Sequence, residues 1–376
     1  MKRILIIAGE ASADIYGAQL INKLKCLDES FRFFGVGGSR MKAAGMDVRI
    51  SADTLSLFGF SEWLLRAPLV FASFKKLVNL AKTEPWDAAI LIDLPDINLR
   101  LARHLKARSI PVCYYVSPQL WAWRPNRIRL IKKYVDKMLV LFPFELEFYK
   151  KHSVDAIFVG HPLVDMIERR PVIRDESKLR IAILPGSRRS EITNHVPLLS
   201  GVVSELRKRY PDAQFVVPIA ETLTRDLVSK EFAKSGMVDL LFERDSQKIL
   251  RESNVALIAS GTATLEACLI GIPFLIFYKV SRSSKILYDL LIKVPFIGMP
   301  NLLAGNEIVK EFFQEKATPN SLTQETIRLV EERGYYSSVV TSLNSCREQL
   351  RGSFSKDAAY EFFKFVNGIS HTYSIS

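Results

Sequence analysis

Cysteine is scarce in this chain. Cys26, Cys113, Cys268 and Cys346 are scattered over 376 residues and form no C-x-x-C pair. That spacing excludes a disulfide framework and a cysteine-built zinc site, and a reduced, cytoplasmic compartment is expected. Long apolar runs are also missing. No stretch reaches the roughly 18 uninterrupted apolar residues of a membrane-spanning helix. Met1 to Ala8 imitates the start of a signal peptide, but Gly9-Glu10 ends the run too soon, so a first β-strand is expected instead. There is no G-x-G-x-x-G and no P-loop pattern, which removes two large nucleotide-binding classes. Asp93-Leu-Pro-Asp96 is not a D-x-D, and no His/Asp cluster suggests a metal, so metal independence is expected. No internal repeat occurs, and no low-complexity tract beyond the polar stretch Glu168–Lys178.

What is present is ordinary globular composition, 48% hydrophobic and 24% charged. The length suits two domains. Acid is outnumbered: the net charge is +12 and the pI about 9.4. That balance favours acidic partners. No nucleic-acid motif accompanies it, which leaves phosphorylated substrates and anionic membrane.

The chain is organised around Ala259-Ser-Gly-Thr-Ala-Thr-Leu-Glu266. The apolar run Val255–Ala259 reads as a buried strand, and Leu265–Ile270 as the start of a helix. Free N–H groups and the helix dipole there favour an anion such as a diphosphate. Gly261 permits close approach. Ser260, Thr262 and Thr264 add hydroxyls, and Glu266 could hold two ribose hydroxyls. The plain alternative is a capped helix in any α/β protein.

The first half reads as β/α repeats. Strands are expected at 3–8, Phe31–Val36, Asp87–Asp93, Pro111–Val116, Lys137–Leu141 and Ala156–Val159. Helices are expected at Ile15–Leu27, from Ser39 as cap to Ala44, at Leu99–Ala107 and at Arg127–Lys133, with another opening at Pro143. Asp93 and Asp96 sit at a strand's carboxyl end, where open α/β sheets bind ligands; Asp96 could equally cap the following helix. His161, between Gly160 and Pro162, reads as a structural hinge more readily than as a base. Phe58–Lys82 mixes bulky apolar residues with Arg66, Lys75, Lys76 and Lys82. It is either a buried helix pair or an amphipathic surface that meets lipid. Pro68 is expected to break or kink it.

Glu168–Lys178 reads as a linker, after which the rhythm restarts. Strands are expected at Leu179–Leu184, Gln214–Pro218, Asp239–Phe242 and Pro273–Tyr278. Helices are expected at Val196–Arg209, Glu221–Ser235, Ser246–Ser253, Ser283–Lys293, Ser321–Arg333, Ser337–Leu350 and Lys356–Val366. Pro300–Glu307 reads as a loop leading into a helix through Gln314. Arg188, after Pro-Gly-Ser, suits a donor diphosphate, though a surface arginine would look the same. Two α/β domains with a cleft between them suggest a two-Rossmann-domain glycosyltransferase.

Seven motifs, in order, carry a family resemblance. They are Gly9-Glu-Ala-Ser-Ala-Asp14, Ile92-Asp-Leu-Pro-Asp-Ile-Asn98, Tyr115-Val-Ser-Pro-Gln-Leu-Trp-Ala-Trp-Arg124, Val159-Gly-His-Pro162, Leu184-Pro-Gly-Ser-Arg188, Ala259 to Glu266, and Pro300-Asn-Leu-Leu-Ala-Gly305. Together they resemble lipid-A-disaccharide synthase. The resemblance implies an α/β, GT-B fold, with two Rossmann-like domains facing a cleft. It places an acceptor domain at 1–168, a UDP-sugar domain at 169–350, and a last helix at 351–376. That helix would return to the first domain or be exchanged within a homodimer. It implies an inverting enzyme that joins UDP-2,3-diacylglucosamine to 2,3-diacylglucosamine 1-phosphate through a β-1,6 bond. The work would be done at the cytoplasmic face of a Gram-negative inner membrane, on anionic lipid. Asp96 matches the family's base, and Glu10 is the second catalytic candidate. Arg188, Glu266 and Asn301 match UDP-site residues, with Gly186, Ser187, Ser260, Gly261, Thr262 and Ala263 completing the donor set. Trp63, Leu69, Val70, Phe71, Trp121 and Arg124 are the acceptor or membrane candidates. Arg189-Ser190 is bulkier than the small residues expected after Arg188. Two rivals are a UDP-sugar epimerase, which needs no lipid surface, and a non-catalytic carrier, which needs no base.

Overall fold

The computed structural model describes residues 1–55, 60–122, 125–168, 178–220, 222–237, 239–280, 295–352 and 357–368, with the backbone course alone for 60–67. Two compact units make up the chain: 1–162 together with 352 onward, and 163–351. The expected linker lies mostly at 169–177, outside the described residues.

The first unit contains β1 (Lys2–Ala8), β2 (Phe31–Gly37), β3 (Asp47–Ser51), β4 (Ala88–Ile92), β5 (Val112–Tyr115), β6 (Lys137–Val140) and β7 (Ala156–Phe158). They form one sheet in the order 3-2-1-4-5-6-7, and every pairing is parallel. Its helices are α1 (Ala11–Leu27), α2 (Ser39–Ala43), α3 (Phe60–Thr83), α4 (Pro95–Lys106), α5 (Ile128–Tyr134) and α6 (Pro143–Lys151). All of β4 is buried. A strand buried on both faces must be a continuous apolar run, and Ala-Ala-Ile-Leu-Ile meets that demand.

The second unit opens with α7 (Leu163–Met166) and repeats the pattern. Its strands are β8 (Arg180–Leu184), β9 (Gln214–Pro218), β10 (Leu241–Glu243), β11 (Val255–Ala259), β12 (Phe274–Tyr278) and β13 (Glu311–Phe313). The order is 10-9-8-11-12-13, again all parallel. The helices are α8 (Arg189–Arg209), α9 (Arg225–Lys234), α10 (Ser246–Glu252), α11 (Thr262–Ile270), α12 (Met299–Ala304), α13 (Pro319–Glu331) and α14 (Arg333–Leu350). Arg347 of α14 is buried and donates to the carbonyls of Leu269, Val164 and Ile167. It thereby ties α7 and the end of α11 together.

The chain then rejoins the first unit, where α15 (Ala358–Val366) packs on α1. Phe363 meets Phe31 edge-on at 6.4 Å. Glu361 is fully buried yet paired with Lys137 at 3.1 Å and with Lys364 at 2.5 Å, which compensates its charge.

Several expected boundaries move. The helix α3 runs through Pro68, so that proline does not break it. α8 starts at Arg189, well before Val196, and carries Pro197 inside it. An interior proline costs about 3 kcal/mol. Seven apolar residues of that helix, Leu199 and Val202 among them, are buried; at roughly 1.5–3 kcal/mol per large apolar side chain, burial wins. α11 begins at Thr262, not Leu265. α2 is capped by Asp14, not Ser39: the Asp14 carboxylate accepts from the N–H groups of Gly38 (2.7 Å), Arg40 (3.0 Å) and Met41 (3.1 Å). β3 and β13 were not expected. Both are short edge strands with half-exposed residues, so neither carries a buried run. β13 replaces the helix expected through Gln314, and α12 lies where a loop was expected.

Candidate active site

Each sheet has a topological switch point, where strand order reverses. In parallel α/β sheets that crevice, at the carboxyl ends of the strands, is where ligands bind. In the second unit it lies between β8 and β11, paired through Ile258 and Leu184. The loops leaving these two strands carry Gly186–Arg188 and Ser260–Ala263, so most of the expected donor residues gather at one place.

The loop after β8 is built around Glu191. Its Oε2 accepts from the N–H groups of Ser187 (2.7 Å) and Arg188 (3.2 Å). Its Oε1 accepts from Arg188 Nη1 (2.9 Å) and from the Tyr278 hydroxyl (3.0 Å). A carboxylate reaching back from the third helical position is half of a capping box. Below the loop, buried His195 places Nδ1 2.6 Å from the Pro185 carbonyl and accepts the Lys279 N–H at 3.1 Å through Nε2. Burial holds the ring below the usual histidine range, which suits this neutral donor-and-acceptor role. Arg188 itself is 68% exposed.

The N-terminus of α11 is different. The starts of α9 and α10 are capped by Thr224 and Asp245, and Glu191 takes the two N–H groups just before α8. Glu311 likewise accepts from Ile297 N and Gly298 N just before α12. α11 has no capping side chain, and the space over Gly261 is open: a Cβ on that residue would meet nothing within 4 Å. The Thr264 N–H turns back to the Gly261 carbonyl at 3.1 Å, which leaves those of Thr262 and Ala263 at the open end. Two of the three expected hydroxyl donors are not. Ser260 donates to the Ile297 carbonyl at 2.7 Å and Thr264 to the Gly261 carbonyl at 2.8 Å. Thr262 is exposed and Ala263 half-buried. Glu266 is half-buried beside Ser246, whose hydroxyl lies 3.5 Å from its carboxylate. Burial, with Asp245 nearby, raises its pKa.

Asn301 departs from the direct-contact expectation. It is fully buried. Its amide nitrogen donates to Val309 O and Glu311 Oε1, and its oxygen accepts from Ile308 N and Val309 N. Its hydrogen-bonding groups are engaged in shaping the loop after α12.

In the first unit the switch point lies between β1 and β4, where Ala8 pairs with Ile92. Gly9-Glu10 and Asp93 leave the sheet side by side. Asp93 and Leu94 both have positive φ, 49° and 48°, a left-handed conformation that strains a non-glycine residue by roughly 1–2 kcal/mol. It is held by Asn98, which donates to the carbonyls of Ile92 (3.2 Å) and Asp93 (2.7 Å), and by the Tyr114 hydroxyl on the Asp93 carbonyl. A Cβ on Gly9 would lie 2.5 Å from Leu94 Cδ2, so a larger residue there would have to displace the buried Leu94 side chain. Burial raises the Asp93 pKa to about 7, and the Glu10 carboxylate adds to the rise. Asp96 lies in the first turn of α4, not at a cap before Leu99. Its carboxylate is ion-paired with Arg127. His161 is buried edge-on to Tyr16 at 5.7 Å and near Phe142 at 5.3 Å. Burial lowers its pKa to about 3, so it is neutral packing material at physiological pH.

The surface candidates divide. Leu69 is 49% exposed and Phe71 71%, flanked by exposed Lys75 and Lys76, while Val70 packs against the core. Trp121 is half-buried with its ring edge-on to Phe144 at 5.0 Å. The Trp63 side chain and Arg124 lie outside the described residues. Among the described residues no helix is long and apolar enough to cross a membrane, and no three His, Cys, Asp or Glu side chains group as a metal set. Sequence reasoning overlooked Glu191, His195 and Arg127. Glu191 carried no capping-box signature, because the residue three before it is Arg188 and not serine, threonine, aspartate or asparagine. Arg127 reaches Asp96 across 31 residues, and no local pattern signals that.

Paired Rossmann-type units of this kind recur among nucleotide-sugar enzymes. A putative UDP-N-acetylglucosamine 2-epimerase from Listeria monocytogenes matches with a TM-score of 0.64 and 13% identity, covering 100% of both chains. The glycotransferase of kitacinnamycin matches with a TM-score of 0.61 and 13% identity, covering 98% of both. The fold is thus that of the GT-B glycosyltransferases and the epimerases that share it. Sequence comparison separates them. The family model for lipid-A-disaccharide synthetase matches residues 4–361. The lipid-A-disaccharide synthase of Koribacter versatilis is 38% identical over 371 residues, covering 96% of each chain. That of Myxococcus xanthus is 40% identical over 337 residues, covering 87% of this chain and 88% of the relative. The chain belongs to the lipid-A-disaccharide synthase family and is a glycosyltransferase.

Proposed function

We propose that this protein joins UDP-2,3-diacylglucosamine to 2,3-diacylglucosamine 1-phosphate through a β-1,6 linkage, with inversion and release of UDP. The observation that carries this reading is the family match across residues 4–361. The chemistry of the two switch points agrees with it. The acceptor's 6-hydroxyl loses its proton to a carboxylate as its oxygen attacks the anomeric carbon. Asp96 is the proposed base, with Asp93 and Glu10 beside it. The bond from the anomeric carbon to the diphosphate breaks in the same step. Charge then grows on UDP, and fixed donors lower the barrier most where charge develops. The open N-terminus of α11 and Arg188 are those donors, and Glu266 takes the ribose hydroxyls. These groups do the work of a divalent cation, so the reaction proceeds without metal.

The enzyme works as a peripheral protein at the cytoplasmic face of the inner membrane. Leu69 and Phe71 on α3 enter the lipid surface while neighbouring lysines meet anionic headgroups. The deciding assay measures UDP release with each substrate alone and with both, in the presence of EDTA. Release only with both, undiminished by EDTA, is expected. Conversion of the donor to an epimeric UDP-sugar, with no UDP released even when both substrates are present, would favour the epimerase reading, and strict dependence on Mg²⁺ or Mn²⁺ would remove the proposed role of the fixed donors.

A further inference from the structure

We propose that Glu191 is a positioning residue for the donor diphosphate: it orients Arg188 and fixes the loop that precedes α8. The inference rests on the reading of Arg188 as a donor-site residue. It concerns what makes that arginine effective. A side chain as exposed as Arg188 would ordinarily sample many rotamers, and a mobile cation stabilises developing charge poorly because it must be ordered first. Here one guanidinium nitrogen, Nη1, is anchored on Glu191 Oε1 at 2.9 Å. The guanidinium has five N–H donors in a rigid fork, so anchoring one leaves the others available in a set orientation.

The anchor is itself immobile. The Glu191 side chain is only 9% exposed. Beyond Arg188 Nη1 it takes Ser187 N at 2.7 Å, Arg188 N at 3.2 Å and the Tyr278 hydroxyl at 3.0 Å. The backbone is shaped around it. Gly186 has φ +119°, and a Cβ there would sit 2.3 Å from Glu191 Oε2. Tyr278 ends β12, and His195 pins Pro185 to Lys279 immediately after it. The loop is therefore fastened to the sheet at both ends before any ligand arrives.

A carboxylate beside an anion site could instead oppose binding. The charge balance argues otherwise. Oε2 faces the start of α8, whose dipole contributes roughly half a positive charge. With the whole charge of Arg188, the local sum stays positive.

The test uses the full chain and calorimetric affinities for UDP and for uridine, which lacks the diphosphate. The variants are Arg188→Ala, Glu191→Gln, the double variant, and Tyr278→Phe. Wild type prefers UDP to uridine. Glu191→Gln is expected to lower that preference about tenfold, the scale of a lost charge-assisted contact, with uridine affinity retained. In the Arg188→Ala background the same change adds less than about twofold, because the two act as a unit. Tyr278→Phe lowers the preference by about two- to threefold, leaving uridine affinity unchanged. An unchanged or increased preference in Glu191→Gln overturns the inference, as does an equal loss with and without Arg188. If Glu191→Gln does not fold, Tyr278→Phe decides, and an unchanged preference there overturns it. A wild type that binds uridine as tightly as UDP, or an Arg188→Ala variant that keeps the full preference, defeats the donor-site reading instead.

Discussion

Asp96, in the first turn of α4, is ion-paired with Arg127, the residue immediately before α5. The arginine side chain is 18% exposed and the aspartate 37%, so the arginine is the more deeply buried partner and part of the aspartate stays open. We propose that this ion pair orients the proposed base. Asp96→Asn is expected to fold and to lose about 10²- to 10⁴-fold in kcat, the scale of general-base catalysis. Arg127→Ala is expected to lose about tenfold in kcat through misplacement of that group, with Arg127→Lys recovering part of it. Full turnover in Arg127→Ala would reduce the ion pair to a packing feature.

Asp93 gives a pH signature. Its pKa is raised to about 7 in the folded protein, against about 3.9 for an unfolded aspartate. Between those values the folded state keeps a proton that the unfolded state releases. Stability from this group therefore falls as pH rises from about 4 to about 7, then stays level. Asn cannot ionise. Asp93→Asn should match wild type near pH 4 and exceed it above pH 7 by up to ~4 kcal/mol. Urea unfolding at both pH values measures the difference; a gap that does not change with pH would contradict the burial argument.

Glu266 and Asn301 are predicted to behave oppositely. Glu266→Ala should fold normally and bind UDP about 10- to 100-fold more weakly, the worth of charged hydrogen bonds. Asn301→Ala leaves Ile308 N and Val309 N without their acceptor. It should destabilise by roughly 1–3 kcal/mol, the cost of buried unsatisfied groups, while the folded fraction still binds UDP. Equal loss of UDP affinity without loss of stability in Asn301→Ala would return that residue to direct contact.

The exposed face of α3 can be tested without disturbing the core. Leu69→Ser with Phe71→Ser changes two exposed residues and spares Val70, which packs inward. Stability should stay within about 0.5 kcal/mol, as for surface substitutions. Binding to anionic vesicles should fall at least tenfold, since each side chain contributes about 1.5–3 kcal/mol when buried in lipid. Wild-type binding should weaken with salt, which screens the lysines, but persist through the apolar contribution. Unaltered vesicle binding in the double variant would place the membrane contact elsewhere.

The order of residues along the chain dictates the alternation of strands and helices, the two α/β units and the loops that carry chemistry. Central parallel strands such as Ala88–Ile92 and Val255–Ala259 must be apolar throughout, because both faces are buried. Their ends are marked by glycine, proline and small polar residues. Those signals are local, so they can be read along the chain. Edge strands β3 and β13 carry no buried run and left no such mark. The state of each side chain at the site was settled by packing in three dimensions. Arg127 reaches Asp96, Asp14 caps α2, Asn301 turns inward, and Ser260 and Thr264 are engaged while the start of α11 stays open. Each depends on partners from distant segments or on the direction a side chain takes once packed. Composition and spacing do not encode those directions; packing and hydrogen-bond satisfaction set them together.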